Sequence, residues 1–233
     1  MKRLLVLAVS SLLTLSAVCA WAALPIHNGN ANPTTEGFLA DGNAALGSAG
    51  SGPANWTIVD NGVDSLAYWQ PYNAADFPTG AWELNWTVKM SGASFPWRPV
   101  VDVSDGTKNF QYMFSIDENG TGTVYYGTNL DGNPRLPFAT FVNGDSYHDW
   151  SVRYSGGSNV DVYLDGAFLA TTLCADYFDY AGRQLYFGTY AAGTGCTTNW
   201  THFEIVAVPE PGTLGVLGSG LVGLLAFAVR RRK

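Results

Sequence analysis

Between its two ends, this chain of 233 residues lacks any helical hydrophobic period, lacks clustered carboxylates and is poor in positive charge. From 24 to 207 it carries 6 Lys and Arg against 18 Asp and Glu, a net charge of −12. Nothing there would neutralise phosphates, which argues against nucleic acid and anionic membrane surfaces as partners of that region. Glutamate is scarce, with only Glu36, Glu83, Glu118 and Glu204 before position 208. Retaining glycoside chemistry needs two carboxyl groups facing each other at about 5 Å, and no pair in the sequence suggests one. Glu83, between Trp82 and Trp86, is the one acid worth naming, and an alternating strand would turn it to solvent. The histidines, His27, His148 and His202, have no G-x-S-x-G beside them and no paired Cys or His for a metal. His27 is expected in a flexible start. The chain therefore reads as non-enzymatic.

Cysteine is rare as well, three in all. Cys19 falls in an N-terminal segment made of Met1-Lys2-Arg3, the apolar run Leu4 to Val18 and the small-residue exit Ala20-Trp21-Ala22. Charged start, apolar middle and A-x-A exit are the parts of a secretory signal peptide, expected over residues 1–23. A retained membrane helix would need a longer run, and Ser16-Ala17-Val18 is a poor context for lipid attachment at Cys19. Cleavage leaves Cys174 and Cys196, and two cysteines in an exported chain are expected to pair. Their loop of about twenty residues would contribute roughly 3 kcal/mol in the chain-entropy model. Two buried thiols are the alternative.

Long uncharged runs are confined to the ends. Leu214 to Val229 would rise only about 24 Å as a helix, short of the roughly 30 Å hydrocarbon core. Its glycines weaken that helix but suit close packing against another membrane helix. Arg230, Arg231, Arg232 and Lys233 hold its end on the cytoplasmic side. Val208-Pro209-Glu210-Pro211, then the Gly-rich apolar segment, then the basic cluster resemble the PEP-CTERM sorting signal of Gram-negative bacteria. The resemblance implies that an exosortase-type membrane protease recognises residues 208–233 and cuts near Pro-Glu-Pro. The C-terminal helix would then hold the chain in the inner membrane only before processing, much as a GPI tail is read and removed. It also implies release to the cell surface or extracellular matrix, in association with exopolysaccharide and biofilm. A permanent single-pass anchor behind a stiff Pro-x-Pro spacer is the alternative.

Residues 24–207 show short alternating or aromatic-rich segments broken by Gly, Asn, Asp and Pro, which predicts an all-β, antiparallel two-sheet sandwich. Strands are expected at Asn55 to Val59, Ser65 to Trp69, Trp82 to Met90, Val100 to Val103, Phe110 to Ile116 and Thr121 to Gly127. Further ones are expected at Phe138 to Val142, Asp149 to Tyr154, Val160 to Leu164, Ala167 to Thr171, Gln184 to Tyr190 and Trp200 to Val206. Asp105-Gly106, Asn119-Gly120 and Asp165-Gly166 are hairpin-turn signals. The stretch YHDWSVRYSGGSNVDVYLDGAFLATT, Tyr147 to Thr172, resembles the hairpin of laminin-G/concanavalin A-like jelly rolls, although His148-Asp149-Trp150 departs from the usual Trp-His order. The resemblance implies a concanavalin A-like jelly roll across residues 34–207.

That fold implies two ligand classes. Calcium would be held by Asp carboxylates and loop carbonyls. Asp102, Asp105, Asp117 and Asp131 lie in or beside loops, but no EF-hand-like spacing joins them and Asp in a hairpin turn commonly closes the turn, so no metal ligand is assigned. Carbohydrate binding needs aromatic faces beside polar groups. Trp97 and Arg98 in a proline-flanked loop, and Tyr125 and Tyr126 with one ring on each strand face, are the candidate glycan contacts. Trp69, Tyr72 and Phe77 surround another loop, and Trp56, Trp86 and Trp150 are assigned to the core. Asn-Trp-Thr at Asn55, Asn85 and Asn199 matches the glycosylation acceptor pattern but reads as strand alternation. The expected function is a non-catalytic surface or matrix protein that binds or organises extracellular polysaccharide. A glycan-active enzyme and a purely structural matrix protein are the alternatives.

Overall fold

The computed structural model describes residues 26–42, 47–50, 52–60, 66–71, 80–92, 99–104, 108–126, 136–173, 175–176, 184–189 and 196–208. The expected signal helix, and the sorting tail beyond Val208, lie outside the described residues. Among the described residues no helix is long and apolar enough to cross a membrane.

Two antiparallel sheets form the sandwich. Sheet I runs, edge to edge, through β13 (Ala167–Leu173), β12 (Asn159–Leu164), β11 (Tyr147–Tyr154), β6 (Trp82–Ser91), β16 (Thr197–Ala207), β4 (Trp56–Val59) and β3 (Ser48–Ala49), with β1 (His27–Asn28) also paired to β16. Sheet II runs through β10 (Leu136–Phe141), β9 (Gly122–Tyr126), β8 (Lys108–Ile116), β7 (Val100–Ser104), β15 (Gln184–Thr189), β5 (Leu66–Pro71) and β2 (Leu39–Gly42), with β14 (Ala175–Asp176) also paired to β8. One 3₁₀ turn, Pro33–Glu36, is capped by Asn32, whose side chain accepts from the Thr34 N–H.

Period-two alternation builds the core. In β6, Trp82, Leu84, Trp86, Val88 and Met90 are buried, while Glu83, Asn85, Thr87, Lys89 and Ser91 face outward. Trp86 lies opposite Trp150 of β11, their rings stacked at 6.0 Å and 7°. Phe114 of sheet II meets Trp150 at 5.0 Å and 61°, so the rings of the two sheets interdigitate. Trp56, Trp86 and Trp150 are all core residues, as expected.

The twelve expected strands are present with ends shifted by up to three residues. Four very short strands, β1, β2, β3 and β14, were not anticipated. One expectation is overturned. His27 is not in a flexible start but fully buried in β1, paired with Phe203, bonded through Nδ1 to Glu36 Oε2 at 2.7 Å and stacked on Phe187 at 5.5 Å. A two-residue strand is too short to display a period, and its partner lies at the far end of the chain. The Asp165-Gly166 turn takes left-handed φ at both positions, 50° and 78°, the signature of a type I′ hairpin.

Among the described residues no disulfide is seen, and Cys196 is buried among core residues. Cys174 lies outside the described residues.

Candidate functional site

The outer face of sheet I is polar and open. Register places Asp149, Thr87 and His202 side by side on β11, β6 and β16, and Ser151, Asn85 and Glu204 in the next row. Arg153 and Glu83 form the row after that. Over the first two rows lies a shallow depression of about 230 Å³, lined by Asn85, Thr87, Asp149, Ser151, Gly166 and His202. Gly166, at the tip of the β12–β13 turn, rims it, because the Asp165 N–H donates to the Asp149 carbonyl at 2.7 Å and draws the turn over β11.

Most polar groups around this depression are already engaged. Thr87 Oγ1 donates to Asp149 Oδ1 at 2.6 Å, and Ser151 Oγ donates to Glu83 Oε1 at 2.6 Å. His202 lies between Asn28 Oδ1 at 3.1 Å and Glu204 Oε1 at 3.2 Å. Arg153 Nε donates to Glu83 Oε2 at 3.1 Å, and its guanidinium sits 4.1 Å over the Tyr163 ring. Partial burial works to lower the Arg153 pKa, but the charge and hydrogen bond of Glu83, with Tyr163, raise it net above the usual guanidinium value. Among the described residues, no hydrogen bond holds the Asn85 carboxamide. Asn85 therefore offers two donors and an acceptor at the depression, beside the Asp149 carboxylate. A partly exposed carboxamide and an exposed carboxylate on a sheet match the hydrogen-bonding pattern of sugar hydroxyls, which both donate and accept.

The residues singled out from sequence fall elsewhere. Trp97 and Arg98 lie outside the described residues, as do Tyr72, Phe77, Asp105 and Asp131. Tyr125 and Tyr126 do point to opposite faces of β9. Tyr126 packs against the core with Phe138 at 6.1 Å, and Tyr125 sits on the outer face of sheet II. There Tyr125 joins Trp69 over Ala67, Val100 and Tyr186, all three buried, so its ring is engaged in packing. The two tyrosines do not share one surface. Glu83 faces outward, as an alternating strand requires, in its pair with Arg153. The depression was missed because Asn85, Thr87, Asp149, Ser151 and His202 come from three strands with no motif in common; their shared sign is only that each occupies an outward position of an alternating strand.

The aspartates considered for calcium divide. Asp102 is buried and accepts from Gln111 Nε2 at 2.9 Å. Asp117 Oδ1 accepts the Asn119 and Thr121 N–H groups at 2.9 and 2.8 Å, closing the β8–β9 turn. Among the described residues, no group of three His, Cys, Asp or Glu converges as a metal would require.

β16 ends at Ala207, and the Val208 N–H donates to the Ala81 carbonyl at 2.9 Å, fastening the last strand where the sandwich stops. Residues 207–233 match the PEP-CTERM protein-sorting motif. This motif marks an exported protein that is held transiently in the membrane and processed by an exosortase, itself a membrane protein. No curated protein matches the chain by sequence. Among solved structures, it is similar to botulinum neurotoxin type C, described for its dependence on two ganglioside molecules, at TM-score 0.54 and 11% identity over 86% of this chain and 51% of that one. It is similar to the binding domain of botulinum neurotoxin DC in complex with rat synaptotagmin II, at TM-score 0.54 and 10% identity over 85% and 51%. A conserved carbohydrate esterase of the Shiga toxin-encoding bacteriophage phi24B follows at TM-score 0.50 and 14% identity over 78% and 89%. At these identities the likeness establishes the fold alone, a two-sheet jelly roll. The chain spans about half the length of the neurotoxin structures it matches.

Proposed function

We propose that this PEP-CTERM protein is a non-catalytic surface or matrix component of a Gram-negative bacterium whose jelly roll binds extracellular polysaccharide on the outer face of sheet I. The observation that carries the reading is the depression at Asn85 and Asp149, where an unengaged carboxamide and a carboxylate stand together on an open sheet. The sorting tail supports the location, since a processed surface protein meets exopolysaccharide. The lectin-like fold of the neurotoxin neighbours, one described with gangliosides, is in keeping with a glycan ligand. The carboxylate nearest to a catalytic role, Glu83, is engaged by Arg153 and Ser151, which suits a structural task.

The test is a glycan array followed by calorimetric titration, with the full protein in micelles and with Asn85→Ala and Asp149→Asn. Removing a hydrogen bond to a neutral or charged group is worth ~1–2 kcal/mol here, about tenfold in Kd. Saturable binding weakened about tenfold by either substitution is expected. A folded protein that binds no glycan, or variants that bind as the parent does, would end this reading.

A further inference from the structure

The row that crosses the depression does not stop at Ser151. Register carries it from Glu204 through Asn85 and Ser151 to Tyr163 of β12 and then Phe168 of β13, one residue on each of five adjacent strands. Neighbouring strands lie about 4.8 Å apart, so the row spans roughly 19 Å. Its chemistry changes along that length. At one end are Glu204, Asn85 and Ser151, with Asp149 alongside. At the other, the Phe168 ring stands 5.7 Å from Tyr163 at 74° and is 58% exposed. Tyr163 is held in place by the Arg153 guanidinium over its ring, so the apolar surface left open is that of Phe168. β13 itself, AFLATTL, contains no charged residue.

We propose that this row is one continuous glycan-binding strip, with Phe168 as a distal stacking subsite, and that its ligand is a linear, non-acidic polysaccharide. The inference rests on the polysaccharide reading above and names its ligand class and second subsite. A monosaccharide fits within the depression; only an extended oligomer reaches Phe168. Sugar C–H faces pack against an exposed ring, while hydroxyls need the amide and carboxylate at the far end. Acidic polymers are disfavoured because Asp149, Glu204 and Asp161 face the strip, and Arg153 is already committed to Glu83 in a region of net charge −12.

The experiment titrates the full protein in micelles with the disaccharide and hexasaccharide of the cello- and chitosan series, and with hexagalacturonate. The parent should bind one of the non-acidic hexasaccharides at least ~10-fold more tightly than its disaccharide. Phe168→Ala, on an exposed ring, should abolish that length gain and keep the disaccharide affinity, and Phe168→Trp should restore the gain. Asn85→Ala should weaken both lengths. If Phe168→Ala keeps the length gain, or hexagalacturonate binds as tightly as the non-acidic hexamers, the strip is wrong while the depression stands. If Asn85→Ala also changes nothing, or no sugar of any series binds, the polysaccharide reading falls and the strip with it.

Discussion

His148 joins two backbone turns, and its removal is the most direct test of how the hairpins of sheet I are held. It is nearly buried, with Nδ1 2.9 Å from Asp165 Oδ2 and Nε2 2.9 Å from the Asn143 carbonyl. Asn143 and Asp165 are the two non-glycine residues with positive φ among the described residues, at 56° and 50°. Each holds a conformation that costs a side-chain-bearing residue about 1 kcal/mol or more, less for Asn and Asp, and one imidazole lies in contact with both. Both partners only accept and a neutral imidazole carries one N–H, so His148→Ala removes a single donated hydrogen bond, to the half-exposed carboxylate or to the carbonyl, worth about 1–1.5 kcal/mol. It also removes the edge contact with Phe141, at 5.2 Å and 84°, which contributes roughly another 1 kcal/mol. The expected loss is about 2–3 kcal/mol, a large share of the ~5–15 kcal/mol typical of a domain. Urea unfolding followed by tryptophan fluorescence measures it. Asn143→Gly keeps the accepting carbonyl while relieving the left-handed cost, so it should be neutral or stabilising by up to about 1 kcal/mol. A His148→Ala cost below ~1 kcal/mol, or a destabilising Asn143→Gly, would refute the strap.

Two further outcomes follow from the core. The Tyr68 pKa is raised by burial, an effect that the Trp56 Nε1–H bond at 2.9 Å partly offsets. Unfolded tyrosine titrates near 10, so above about pH 10 the unfolded state loses protons first and stability falls as pH rises towards the folded value, with none lost at neutral pH. Tyr68→Phe should flatten the alkaline limb of a stability–pH profile and lower its neutral plateau by about 1 kcal/mol, and an unchanged limb would count against the assignment. A Cβ on Gly122 would collide with the Phe141 ring, so Gly122→Ala should cost ~1–3 kcal/mol, and Phe141→Leu in the same chain should recover part of it. Equal urea midpoints for Gly122→Ala and the parent would show that the ring yields freely.

What could be read along the chain was set by short-range patterns. Alternation of two places the next-but-one side chain on the same face, so WELNWTVKM declares a half-buried strand wherever it sits, and Asp165-Gly166 declares a tight hairpin because few residues accept positive φ. The PEP-CTERM tail was legible for a similar reason, since its three parts are contiguous and act as a linear signal. The His27 strand was hidden because two residues cannot show a period, and its partner Phe203 lies far along the chain. The aromatic pair at Tyr125 and Tyr126 suggested a glycan surface, but the fold turns one ring into the core and packs the other over Val100.

The sequence by itself determined the class of fold, most of the strands and the fate of the C-terminus, because each is written in neighbouring residues. The surface on which Asn85 and Asp149 stand together was decided by tertiary structure alone. Its residues belong to strands separated by up to a hundred positions or more, and only the β11–β6–β16 register brings their side chains onto one face.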